Sequence, residues 1–179
     1  ELSLRIESYD VRLRFAGAPR TVTSIDPFAH RGVGRPGYPK DLPVDVGDAT
    51  TITRLHIWPY WHKGPGFVQG SRSPLESQGL YIYRNDRLLQ AGGWNGLAKP
   101  SVDLNYARVA IDLTAEMEHH LIINPEKAGT AFDDELRNAL VHARTTDGTT
   151  LASFRADAKQ EAKVSKQRSA TPIEAPLPG

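Results

Sequence analysis

The chain contains no cysteine. A disulfide framework and a cysteine–zinc site are therefore both excluded. The composition is compatible with a reducing cytoplasm, and a cytoplasmic location is the expectation. Apolar residues make up 39% of the 179 positions, a little less than is usual for a globular chain. No apolar run approaches membrane-spanning length, and no basic-then-apolar signal opens the sequence, so no membrane partner is expected. Charge of one sign is lacking too: 22 Lys and Arg against 21 Asp and Glu leave a net +1, which demands no polyanionic partner. Methionine occurs once, at Met117, and the first residue is Glu1. The expectation is a fragment, a processed product or a trimmed chain, whose parent carries residues that are not in it.

What is present is a set of clustered apolar positions with a readable period. DVRLRF (10–15) alternates apolar and charged side chains, and RTVTSI (20–25) follows the turn AGAP, which predicts a β-hairpin. Residues 26–50 are rich in Pro, Gly and Asp and read as a long loop, as do residues 59–77. Between them TITRLHIW (51–58) alternates as a strand. GLYIYRNDRLLQAGGW (79–94) predicts a second hairpin, with arms 80–83 and 87–91 and the pair Asn85–Asp86 at its tip. Asn and Asp tolerate the positive φ that a two-residue turn requires. YARVAIDL (106–113) is a strand with Val109 and Ile111 on one face, and residues 121–123 form a short apolar strand.

The period then becomes helical. Phe132, Leu136, Ala139, Leu140 and Ala143 share one face of a helix over 130–144, with Thr130 and Asp133 placed as a capping box. Asp147–Gly148 ends that unit. Residues 150–168 predict a second, charged helix anchored by Leu151, Phe154 and Ala158. The division expected is an α+β domain over 1–148, a charged helix over 149–168, and a Pro-rich disordered tail over 169–179. Strands first and helices last predict a mixed or antiparallel sheet with helices on one face.

Few constellations carry chemistry. GVGRPG (32–37) matches the dinucleotide-binding spacing, but prolines stand where its helix should run and no βαβ unit follows, so it reads as a flexible loop. The adjacent His119 and His120 cannot aim both rings at one metal from a strand. His56 and His62 lie among Trp58, Tyr60 and Trp61 and read as packing and surface histidines, so no metal is expected. No G-x-S-x-G occurs, and a hydrolase built on His30, His56 or His62 has no motif behind it. Lys127 sits in a small-residue loop between a buried strand and a helix. It is either a solvated turn residue or a point charge placed to meet a phosphate. Lys159, Lys163, Lys166 and Arg168, balanced by Asp157 and Glu161, are either a solvated helix end or an electrostatic contact for nucleic acid.

Taken in order, SIDPF, IWPYWHK, QGLYIYRNDRLLQAGGWNGL, YARVAIDL and IINPEKAGTAFDDELRNAL resemble the region after the ATP-binding domain in bacterial GHKL ATPases. That superfamily comprises gyrase B, heat-shock chaperones, histidine kinases and MutL. The resemblance spans about residues 10–144, and its QG-Y-YRN-RL-GGW block is the most specific part. It implies a transducer, the second domain of such an ATPase, with the fold also seen in a small-subunit ribosomal protein and in GHMP kinases. It also implies that Lys127 reaches the γ-phosphate of ATP held with Mg²⁺ by an upstream domain of the same chain, and so couples nucleotide state to conformation. Arg84 and Arg87 then either contact that domain or are solvated turn charges, and Trp94 is a further candidate for binding. The fragment alone would bind no cofactor and have no ATPase activity, whereas the parent would be an ATPase, with a homodimer through the upstream domain as a further implication. The alternative is a stand-alone module for nucleic acid or a protein partner, using the aromatics Trp58, Tyr60, Trp61 and Trp94 and the basic last helix.

Overall fold

The computed structural model describes residues 12–15, 18–21, 26–28, 34–64, 66–70, 72–124 and 129–170. The first hairpin is present as β1 (Arg12–Phe15) and β2 (Ala18–Thr21), paired antiparallel. The second strand starts two residues earlier than the sequence predicts, within the stretch assigned to the turn. The main sheet has five strands: β3 (Lys40–Val46), β4 (Ala49–Ile57), β5 (Gly79–Arg84), β6 (Arg87–Ala91) and β7 (Ala107–Asp112). Their spatial order is β3-β4-β7-β5-β6. β7 enters between the two hairpins, antiparallel to β4 and parallel to β5, so the sheet is mixed.

The pleat divides the sheet's two faces cleanly. Leu42, Val44, Leu55, Ile57, Leu80, Ile82, Val109 and Ile111 are fully buried on one side. There they join Leu136 and Leu140 of α2 (Asp134–His142) and Phe154, Ala158 and Ala162 of α3 (Leu151–Ala170) in one core. Tyr81, Tyr83 and Ala110 point the other way and pack with Phe28. The chain is thus α+β, a mixed sheet with both long helices on one face. The last helix is part of the central core, since burial of its Leu151–Phe154–Ala158–Ala162 stripe closes the sheet.

β3 lies inside the stretch that reads as loop from sequence. Its sequence KDLPVDV has a strand's alternation, with Leu42, Val44 and Val46 buried, but Pro43 and two aspartates obscure it. Proline is tolerated because β3 is the sheet's edge. A two-residue turn at Gly47 (φ 56°) and Asp48 then leads into β4. Within the second predicted loop, Pro74–Ser77 forms a short helix, α1. Ser73 and Glu76 close its first turn with a reciprocal capping box.

The predicted helix start at Thr130 is also corrected. β8 (Leu121–Asn124) pairs antiparallel with β9 (Gly129–Phe132), and α2 begins only after Asp133. Asp133 caps it by accepting from the Leu136 N–H at 2.9 Å. Phe132, counted from sequence on the helical face, reaches the core from the strand instead. The predicted turn at Asn85–Asp86 is present, with φ of 47° and 63° at the two residues.

Candidate functional site

The QG…GGW block forms a hydrogen-bonded knot at the end of β5. Gly79 and Gly93 form a bridge, and Leu80 N–H donates to the Gly93 carbonyl at 2.7 Å. A Cβ on Gly79 would lie 2.1 Å from that carbonyl oxygen, and one on Gly92 would lie 2.0 Å from the Glu76 oxygen. Both positions therefore require glycine. Gln78 is fully buried and satisfied. It accepts from the Trp94 indole at 3.0 Å and donates to Ser101 O at 3.1 Å and Asn105 Oδ1 at 3.0 Å. Trp94 is 3% exposed, and Trp58, its indole donating to Pro27 O at 2.9 Å, is 1% exposed. Neither ring offers a face to a partner. Trp61, 58% exposed, does.

The other candidates fall apart in space. Arg84 sits 3.3 Å from Glu118, whereas Arg87 is exposed at the hairpin tip. Lys127 lies in the connection between β8 and β9, outside the described residues. Of GVGRPG, residues 34–37 are described. They form a turn leading through Tyr38 and Pro39 into β3, and no helix follows. His119 and His120 end a 3₁₀ turn, Ala115–His120, rather than lying in a strand, and their rings approach to 3.9 Å. His120 is buried and meets Asp133 at 2.7 Å. Burial works against the charge on that carboxylate, but the Leu136 N–H and His120 hold its pKa below the ordinary value. His62 stacks on Trp58, with centroids 6.2 Å apart, and His56 meets the same indole edge-on. No group of three metal-ligating side chains occurs among the described residues.

One buried cation escaped the sequence reading. Arg108 is 0% exposed on β7 and has no carboxylate partner among the bonds described. It donates to the carbonyls of Asn105 and Ala107, each at 2.9 Å, and of Phe67 at 2.7 Å, with its guanidinium over the Phe67 ring. Burial pushes its pKa down to about 10. Its position fixes the 66–70 loop to the sheet and leaves it out of reach of solvent.

The arrangement with chemical potential lies along α3. One flank is paired. Asp157 accepts from the Tyr38 hydroxyl at 2.8 Å, and Arg35 donates to the Asp157 carbonyl at 2.7 Å. Glu161, one turn on, accepts from the Tyr60 N–H at 2.8 Å and lies 3.6 Å from Arg35. Arg168 stands 5.1 Å over the Tyr60 ring, and Tyr60 meets Trp61 edge-on. The other flank carries Arg155, Lys159 and Lys166, which share a face at i, i+4 and i+11. Arg155, Lys159, Ala152 and Ala156 form one wall of a groove of about 590 Å³, and Lys99, Pro100 and Ser101 belong to the opposite wall. Arg155, Lys159 and Lys166 thus lie on a different flank of α3 from the exposed Trp61, which Arg168 adjoins through Tyr60. Among the described residues no helix is long and apolar enough to cross a membrane. Compared with models of protein families, with curated proteins and with solved structures, the chain finds no match.

Proposed function

We propose that this chain is a transducer-like domain of a GHKL-type ATP-binding protein, coupling the nucleotide state of an upstream domain to conformation and supplying Lys127 to the ATP γ-phosphate. The reading rests on the order of the sequence blocks. One observation supports it most directly: residues 122–136 form a strand, a connection holding Lys127, a second strand and a capped helix. Phe132, at the end of the strand pair away from that connection, and Leu136 are buried in the core. A lysine carried in the connection is suited to meeting a phosphate as a point charge. ATP and Mg²⁺ belong to the parent protein, and the isolated fragment is expected to turn over no ATP.

The test is ATP turnover by the parent protein, wild type beside Lys127→Ala. Loss of about a hundredfold in rate, with folding unchanged, is the expected result for removal of one charge-stabilising group. A parent that neither binds nor hydrolyses ATP overturns the reading. A second reading is a binding module for nucleic acid or a protein partner. It draws on the exposed Trp61 and the cations of α3. Affinity of the fragment for oligonucleotides that falls steeply with salt would favour it.

A further inference from the structure

We propose that the groove between residues 98–104 and the first half of α3 is a binding site for a compact phosphate-bearing anion of about nucleotide size. This inference is independent of the transducer reading. Three cations, Lys99, Arg155 and Lys159, line the groove, and no carboxylate does. Ala98, Pro100, Leu104, Ala152 and Ala156 supply a small, apolar floor. At about 590 Å³ the space falls within the usual range for small-molecule sites.

The groove's walls are held in place. Arg155 donates to the Leu97 carbonyl, and the Leu97 N–H donates to the Trp94 carbonyl at 2.8 Å. Ser101 is tied by its backbone to buried Gln78. The wall carrying Lys99 is therefore anchored to the glycine–tryptophan knot on one side and to α3 on the other. A guanidinium retains further N–H donors after one is used for a carbonyl, and these can serve an anion.

The charge pattern sets the ligand's size. Past the groove, Lys166 pairs with Asp103 at 2.8 Å, and Lys159 and Lys163 also act on that carboxylate. Lys166 is thus taken up by Asp103, and the cations left to a ligand are those that line the groove. Three cations lining one groove suit several negative charges in a small volume, which a di- or triphosphate provides and a single carboxylate does not. The apolar floor leaves room for an uncharged portion beside the phosphates.

The test is calorimetric titration of the 179-residue chain with tripolyphosphate, ADP and adenosine. One site for tripolyphosphate or ADP and none for adenosine is expected. ADP binding more tightly than tripolyphosphate assigns the floor to the nucleoside, and tripolyphosphate binding alone still supports the site. Lys99→Ala and Lys159→Ala should each weaken binding about tenfold or more without moving the thermal midpoint. Lys159→Glu should abolish binding, while Lys163→Ala, outside the groove lining, should change it less than about twofold. No binding at millimolar ligand overturns the proposal, as does binding that survives Lys159→Glu. Tight binding of a thymidine oligonucleotide that tripolyphosphate cannot displace would also overturn it, by identifying the surface as one for a strand.

Discussion

The two flanks of α3 use charge in opposite ways. On one, Asp157 and Glu161 face Arg35, Tyr38 and the Tyr60 N–H. Acid and base come from segments more than a hundred positions apart in the chain and satisfy one another. On the other, Arg155 and Lys159 face Lys99 across a groove that has no acid in its lining. Both flanks are built on the same buried stripe of Leu151, Phe154, Ala158 and Ala162. The difference teaches what a charged helix can mean. A charge that meets its complement holds the fold together, whereas like charges left facing each other across a groove are kept at a cost that a ligand can offset.

The largest effect should come from removing what the flanks share. Phe154 is fully buried beneath both, and Phe154→Ala should destabilise the chain by about 3–5 kcal/mol in chemical denaturation. Both flanks would then fail together, and a loss under about 1 kcal/mol would mean that α3 is not the common base of the two.

A smaller change separates them. Glu161→Ala strips the acceptor from Tyr60 and the partner from Arg35, and the carboxylate's side chain is only 7% exposed. The expected loss is about 1–3 kcal/mol. The same truncation at exposed Lys159 should stay within about 0.5 kcal/mol. Equal losses at the two positions would erase the distinction between a buried charge held by its partners and an exposed one lining the groove.

The smallest effect is a pH dependence to which the paired flank contributes through Tyr38. Burial, and then the bond to Asp157, push the Tyr38 phenol well above its ordinary pKa. A raised folded-state value stabilises the fold fully below the unfolded pKa of about 10, and that contribution disappears as pH rises beyond it. Burial raises the Tyr81 phenol too, so the thermal midpoint should fall above about pH 10. In Tyr38→Phe the fall should be shallower, and an identical alkaline slope in wild type and variant would remove Tyr38 from the account.

Much of the sheet was legible in the sequence because its strands alternate without interruption. The arms around Asn85–Asp86 and the strand with Val109 and Ile111 are where the period placed them. β3 was not legible. Pro43 and the flanking aspartates look like loop chemistry until the strand is known to be an edge, where a missing N–H costs little. β9 was missed for another reason. Phe132 fits the helical face by spacing alone, and only pairing with β8 shows that it arrives from a strand. The glycines of the QG…GGW block stood out as a motif, and in the fold they admit carbonyls to within contact of their Cα atoms. The groove had no local signal, because Lys99 and Lys159 are brought together by packing between segments far apart in the chain.

The sequence by itself determined the α+β class, the turn at Asn85–Asp86, the apolar stripe of α3 and the exclusion of cysteine chemistry. The first three depend on residues close together in the chain, where backbone sterics and side-chain period decide, and the last on composition alone. Tertiary structure alone decided that Trp94 is buried and Trp61 exposed, that Arg108 is sealed under Phe67, and which of α3's charges are paired. Those outcomes depend on which distant segment covers each side chain. Burial and complementary charge are properties of neighbours in space, and neighbours in space are fixed only once the sheet and its helices have packed.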